Sequence, residues 1–357
     1  MIFWVLGNKK AINSGVSKYS LELISEIKKK KSVRVLFVPG FFDGKLYYFG
    51  KYLYLPLYII FLSIFFKRSS LIVPDESFSF YGLFGFLFSK KYIIVHDVRD
   101  VKGKNIREKI KGILIYINFY FLSFFDSVIC VSNYTKKSVE KRFGNSNTHL
   151  CYNIIKPRKH VFKNKSKYND IFSNGMKNII YIGSHESRKN TLLLLEAFMS
   201  LNLKDVNLLT AGRFIDKKIY NEFKVKSSQS ENVFCLGEVS DAELSYLLSS
   251  SDLYICISSF EGFGRTPVEA QYLGIPVMST YNTGLSDALS KGSFYHIKEP
   301  LSLDNLKKDI LTMLSKKNED IGLIVDRGYL NADRFSADAL SRHFESIINE
   351  KNNDNYI

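Results

Sequence analysis

Four cysteines in 357 residues, Cys130, Cys151, Cys235 and Cys256, form no CxxC pair and no zinc-ligand spacing. Cysteine chemistry is therefore not a theme of the chain, and a reducing compartment fits it. Cys130 and Cys256 lie inside apolar, strand-like runs and read as buried thiols. No GxGxxG follows the first strand-like run, which disfavours a nicotinamide enzyme. The start, MIFWVLGNKK, lacks a basic leader and a small-residue cleavage site, so it reads as a strand and not as a signal peptide. Long apolar runs are scarce too. The longest, LYLPLYIIFLSIFF at 53–66, has 14 residues, short of the roughly 20 that a bilayer-spanning helix needs. DxD occurs nowhere.

Basic charge and aromatic rings are abundant. Fifty Lys and Arg against 35 Asp and Glu leave a net charge of +15, which points to an anionic partner such as a phosphorylated ligand, membrane phosphates or nucleic acid. The 29 Phe and 22 Tyr concentrate in the first half. Apolar residues make up 46%, a globular composition, and the length exceeds what one core usually holds, so two domains are expected.

Short β-rich runs alternate with helical stretches, which predicts βαβ units and parallel sheets. Strand-like runs fall at 2–7, 33–40, 69–75, 90–97 and 126–132. In the stretch 16–31, apolar Val16, Tyr19, Leu23, Ile24 and Ile27 recur at helical spacing. The texture turns polar and basic around 155–176, and the series then restarts at 178–184, 207–213, 232–238, 252–258, 275–280 and 293–297. The expected architecture is α/β, with two Rossmann-like doubly wound domains: 1–160 and 177–335, joined by a linker at 161–176. A C-terminal helix with Leu340, Phe344 and Ile347 or Ile348 on its apolar side occupies 336–357 and ends in a frayed tail, KNNDNYI.

The chemistry concentrates at predicted strand ends, where open α/β sheets bind ligands. After the strand 252–258 comes SSFEGFGRTPVEA. Gly262 and Gly264 allow close backbone approach to a ligand, and the helix start that follows favours phosphate. Thr266 with Glu269 matches a capping box, and Pro267 suits a first helical position. Glu269 is thus either a cap or a ligand-binding acid, whereas Glu261 in its Gly-Phe-Gly loop has no capping role. Two carboxylates beside a phosphate site suit recognition of sugar or ribose hydroxyls. YIGSHESRKN, 181–190, is a near miss of a P-loop: Arg188 stands for the second glycine and Asn190 for the magnesium-binding hydroxyl. What remains is the cation pair Arg188 and Lys189 beside the Gly183 turn. His96, with Asp97 next to it, ends the strand-like run IIVHD and is a candidate for proton work. Gly15 sits between the first strand and the first helix.

These stretches resemble a known family. EGFGRTPVEA is similar to the E-G-F-G-x4-E signature of retaining glycosyltransferases of the GT-B fold, in glycosyltransferase family 4, and GSHESRKN resembles that family's G-x5-K turn. IIVHD, ICVSNYT, FLGEVSDAEL and GIPVMSTYNTGLSDAL resemble further blocks in family order. The resemblance implies two Rossmann-like domains facing a cleft, with the C-terminal helix crossing back to the first. It implies that Lys189, with Arg188, binds the donor pyrophosphate, that Glu269 holds the ribose hydroxyls, that Glu261 lies by the donor hexose, and that His96 contacts sugar or acceptor. Glu261, His96 and Lys189 are the implied catalytic residues. Gly15, Gly183, Val239, Gly262, Phe263, Gly264 and Arg265 join the donor-binding set. Ser184, Ser14, Lys18 and Asp287 depart from the family's usual arginine, glycine, arginine and glutamate.

The implied reaction moves a sugar from a nucleoside-diphosphate sugar, a co-substrate and not a cofactor, to a saccharide hydroxyl with retention of configuration. No cofactor is expected and no metal, in keeping with the missing DxD. Residues 48–68 pair a greasy helix with Lys51, Lys67 and Arg68. They read either as a core helix or as a contact with the anionic inner leaflet, where each basic residue gains about 1 kcal/mol. A lipid-linked saccharide acceptor, a cytoplasmic, peripheral-membrane location and a role in O-antigen, capsule or lipopolysaccharide synthesis are expected. GDP-mannose, dTDP-rhamnose and UDP-linked hexosamines remain open as donors. The rival readings are a GT-B nucleotide-sugar epimerase or hydrolase and a basic nucleic-acid-binding protein. The second wants base-stacking aromatics on a basic face, and here the aromatics lie in apolar runs.

Overall fold

A computed structural model describes residues 1–7, 15–42, 44, 46–98, 113, 116–144, 147–156, 168–172 and 175–349. The chain divides into two compact units: Met1–Ile154 with Phe335–Ile357, and Ile155–Arg334. Ser14, most of the 161–176 linker and the C-terminal tail lie outside the described residues.

The first unit is built on β1 (Ile2–Gly7), β2 (Val33–Phe37), β3 (Ser70–Val73), β4 (Lys90–Val95), β5 (Ser127–Cys130) and β6 (Thr148–Leu150). All pairings are parallel, in the order β2-β1-β3-β4-β5-β6. The run IFWVLG is buried along its whole length, as a strand covered on both faces must be, and that is why it reads as a continuous apolar run and not as an alternation. β6 escapes the sequence pattern because Thr-His-Leu carries no apolar run. β2 stops at Phe37, before Pro39, which has no N–H for a ladder. The helix Gly15–Ile27 buries Tyr19, Leu23, Ile24 and Ile27 as its spacing predicts. The C-terminal helix Ala337–Asn349 buries Leu340, Phe344 and Ile347 in this unit. Phe344 stacks on Trp4 with centroids 5.6 Å apart, and the Tyr92 hydroxyl donates to Ile348 O at 3.0 Å.

The apolar run at 53–66 corrects two expectations. It belongs to a longer helix, Leu46–Phe65, of 20 residues, enough by length and composition alone to cross a membrane. One face is core: Leu55, Ile59 and Leu62 are buried beside Leu36, Val38 and Val73. The other exposes Tyr48, Tyr52, Leu57, Phe61 and Phe65. Lys51 is also not a surface cation. It is 8% exposed, with Nζ 3.3 Å from Ser77 Oγ and 4.0 Å from the centre of the Phe78 ring.

The second unit repeats the plan with β7 (Lys177–Ile182), β8 (Val206–Ala211), β9 (Val233–Gly237), β10 (Leu253–Cys256), β11 (Val277–Ser279) and β12 (Tyr295–His296). The order is β12-β11-β10-β7-β8-β9, again parallel. In each sheet the direction of winding reverses once. The reversal falls between β1 and β3 in the first unit and between β7 and β10 in the second. Crevices outside the carboxyl ends of such strand pairs are where open α/β sheets take ligands.

Candidate functional site

In the second unit the loops after β7 and β10 meet at the winding reversal. After β7 the chain passes Gly183, makes a short 3-10 turn at Ser187–Lys189 and enters the helix Thr191–Leu201. After β10 it runs through Ser258 to Glu261. The turn is stitched to the backbone of this second loop: Ser259 N donates to Arg188 O at 2.8 Å, and the Asn190 side-chain Nδ2 donates to Ile257 O at 2.8 Å. The side chains complete the join. Arg188 Nη1 donates to Phe260 O at 2.6 Å and to Glu261 Oε2 at 3.1 Å, and its Nη2 donates to Glu186 Oε1 at 2.7 Å. Lys189 Nζ pairs with Glu261 Oε1, which also accepts from Ser258 Oγ at 2.7 Å.

Glu261 is therefore an acid held between two cations. Burial pushes its carboxyl up, but Lys189, Arg188 and the Ser258 hydroxyl outweigh burial and hold it below the ordinary carboxylate value. Its backbone N–H donates to Thr283 Oγ1 at 3.0 Å, and Gly284 N donates to its carbonyl at 2.9 Å. Two cations, Arg188 and Lys189, are here matched by two acids, Glu186 and Glu261. An entering diphosphate can take Lys189 and Arg188 as donors while Glu261 turns to a hydroxyl group.

The helix after the loop differs from expectation. It spans Arg265–Tyr272, and its N-cap is Gly264 with φ 102°, without a side-chain cap hydrogen bond. The Thr266–Glu269 capping box is not formed. Only glycine adopts that φ without strain, and a Cβ there would also stand 2.6 Å from Leu285 Cδ2. Pro267 falls third in the helix and not first, which is still among the N–H groups that have no intrahelical partner. Glu269, freed from capping, pairs with Arg265 one turn back at 3.4 Å. The two acids share a floor: burial, Cys256, Tyr181, Glu261 and Glu269 all raise the pKa of the buried Tyr254 hydroxyl.

Gly183, Val239 and Gly262 sit at or just beyond carboxyl ends of β7, β9 and β10, half-buried, and Phe263 is buried at 3% exposure. Gly15 opens the first helix and a Cβ there would meet nothing within 4 Å, so packing does not demand glycine. His96 follows the last residue of β4 in the first unit. Its Nε2 donates to Pro74 O at 3.1 Å, and its ring meets Tyr19 edge-on at 5.3 Å. Sequence reasoning passed over Ser258, Thr283, Glu186 and Tyr254, ordinary polar residues whose only signal is their place at strand ends. Among the described residues no group of three or more His, Cys, Asp or Glu is arranged to hold a metal ion.

The chain is similar to known proteins in sequence and in fold. Residues 163–324 match the family described as Glycosyl transferases group 1. An uncharacterized glycosyltransferase of Methanocaldococcus jannaschii is 27% identical over 243 residues, 67% of this chain and 64% of its own length. The O-antigen chain mannosyltransferase B of Escherichia coli is 26% identical over 161 residues, 44% of this chain and 42% of its own. The chain thus spans less than two thirds of these relatives. Anabaena HepE, solved with UDP and glucose, superposes with a TM-score of 0.76 at 14% identity, covering 97% of this chain and 98% of that one. That likeness is one of fold: two parallel-sheet units as in GT-B glycosyltransferases. Residues 163–324 are thus similar to the glycosyl transferases group 1 family, and the relatives matched carry glycosyltransferase names.

Proposed function

We propose that the chain is a retaining glycosyltransferase of the family 4 type, which moves a sugar from a nucleoside-diphosphate sugar to a hydroxyl of a saccharide acceptor. The observation that carries this reading is the meeting of Arg188, Lys189 and Glu261 at the winding reversal of the second unit. As the glycosidic bond breaks, negative charge grows on the leaving diphosphate, and two fixed cations stabilise that charge more than they stabilise the bound donor. Glu269 holds the ribose hydroxyls and Glu261 the transferred sugar, and His96 serves the acceptor side. The reaction needs no metal in this reading, because the two cations supply the countercharge. Similarity to an O-antigen mannosyltransferase supports a place in bacterial surface-polysaccharide synthesis. The net charge of +15 and the exposed face of the helix Leu46–Phe65 support a lipid-linked acceptor met at the inner, anionic face of the plasma membrane by a cytoplasmic, peripheral protein.

Thermal unfolding in the presence of UDP, GDP, dTDP and their sugars tests the donor assignment. A ligand at one hundred times its Kd adds about 2.7 kcal/mol of stability, so at least one of the three nucleotide families raises the transition temperature. A panel with no stabilising nucleotide sinks the reading.

A further inference from the structure

Both backbone polar groups of Glu261 are held by a single neighbouring loop. β11 lies beside β10 in the sheet, with Ser279 level with Cys256, so the chains leaving the two strands run side by side over the carboxyl edge. Residues 280–284 form a brace. Thr280 Oγ1 and Asn282 Nδ2 donate to Ser258 O at 2.7 and 3.0 Å. Thr283 Oγ1 accepts from Glu261 N at 3.0 Å and donates to Asn282 Oδ1 at 3.2 Å. Gly284 N donates to Glu261 O at 2.9 Å. The two loops approach so closely that a Cβ on Gly284 would stand 2.3 Å from Gly262 C and O.

One residue of the brace is strained. Thr283 has φ 45°. Asn190 and Asn202 are the other non-glycine residues at positive φ among the described residues, and asparagine visits that region readily. A β-branched threonine does not: its Cβ crowds the following carbonyl oxygen, a clash that glycine avoids. Such strain persists where the surroundings over-determine it. Here the threonine hydroxyl is used twice, as acceptor and as donor, and glycine has no such group.

We infer that Thr283 is a positioning residue: its hydroxyl fixes the backbone pivot from which the Glu261 carboxylate turns from Lys189 and Arg188 to a hydroxyl of the transferred sugar. The inference rests on the glycosyl-transfer reading and adds to it the residue that sets the place of the acid. With its N–H and C=O both tied, Glu261 is left with its side-chain torsions alone, so the carboxylate swings on a fixed arc. Without the Thr283 hydroxyl the Glu261 N–H loses its partner and the arc loosens. Meeting the sugar then costs the ordering of the loop. The nucleoside diphosphate, whose donors are Lys189 and Arg188, does not depend on that pivot.

Calorimetric titration of the full chain tests this, with UDP, GDP and dTDP and then with UDP-N-acetylglucosamine, GDP-mannose and dTDP-rhamnose. The readout is the affinity for the nucleotide sugar that binds, divided by that for its nucleotide. Thr283→Ala and Thr283→Gly both remove the hydroxyl, and the glycine variant also relieves the strain, so it keeps the fold. Both are expected to bind the nucleotide sugar about tenfold more weakly, with nucleotide affinity within about twofold of wild type. Thr283→Ser is expected to restore the wild-type ratio. Glu261→Gln loses the same selectivity, and Thr283→Gly added to it is expected to change the ratio no further, since the two residues act as one unit. The assignment is overturned by an unchanged ratio in Thr283→Gly, by a loss that falls equally on nucleotide and nucleotide sugar, or by a serine variant no better than glycine. An effect that adds in full to that of Glu261→Gln overturns it too. If nucleotides bind and no nucleotide sugar does, Thr283 loses its role while the diphosphate site stands. If no nucleotide binds the wild type, the glycosyl-transfer reading itself fails, and the role of Thr283 with it.

Discussion

Lys189 and His185 lie four residues apart on one loop and show how far depth alone decides chemistry. Lys189 is mostly buried, yet its ammonium has Glu261 as countercharge. Replacing it by alanine leaves Arg188 on the same carboxylate, so the fold is expected to survive. Turnover should nevertheless fall by about a hundred- to a thousandfold, as for loss of one donor at a developing anion. Steady-state kinetics with the donor found by thermal shift checks this, and full activity of Lys189→Ala removes the pyrophosphate assignment. His185 is fully buried, stacked 3.8 Å from Phe214, and neither ring nitrogen has a partner among the described residues. Burial lowers its pKa from 6.5 to about 4. The unfolded chain therefore binds the proton first, and stability present above 6.5 drains away as pH falls toward 4. His185→Phe is expected to flatten that part of the pH–stability curve, read by urea midpoints between those limits. An unchanged acid limb would mean that other groups control it.

At the scale of elements, the helix Leu46–Phe65 carries the most unusual surface. A helix apolar all round is normally buried, but this one buries Leu55, Ile59 and Leu62 and leaves Phe61 and Phe65 about half exposed or more, at 52% and 66%. Its rings stack along the exposed side: Tyr48 with Tyr52 at 6.3 Å, Tyr54 with Tyr58 at 6.2 Å, and Tyr58 with Phe61 at 6.3 Å. Exposed Lys67 and Arg68 follow immediately. If this face meets a membrane, the protein sediments with phosphatidylglycerol vesicles at low salt and is released as salt rises. The double variant Phe61→Ser with Phe65→Ser is expected to weaken sedimentation without loss of fold, because both side chains already stand largely in water. No sedimentation of the wild type at low salt counts against the membrane reading.

At the scale of the whole molecule, the first unit is assembled from both ends of the chain. Phe344, from the C-terminal helix, is fully buried against Trp4 of β1, itself fully buried. Phe344→Ala is expected to cost about 3–5 kcal/mol and to lower the denaturation midpoint of the first unit, with nucleotide binding by the second unit retained. A loss well below 1 kcal/mol would show that the helix is an appendage and not part of that core. Much of this architecture is legible in the linear pattern. Eleven of the twelve strands among the described residues announce themselves as apolar runs, because parallel strands covered on both faces leave a continuous hydrophobic signature. The loops that bear Lys189 and Glu261 follow from their places at strand ends. The pattern could not tell that Glu269 pairs with Arg265 and does not cap, or that Lys51 turns inward. These depend on which residues are neighbours through space. Local periodicity, by itself, determined the kind and sequence of elements, since each is set by contacts a few residues apart. Only the tertiary structure decided the strand order, and with it the winding reversal that brings Arg188 and Lys189 to an acid more than seventy residues away, because sheet order and the electrostatics of burial are properties of distance and not of spacing along the chain.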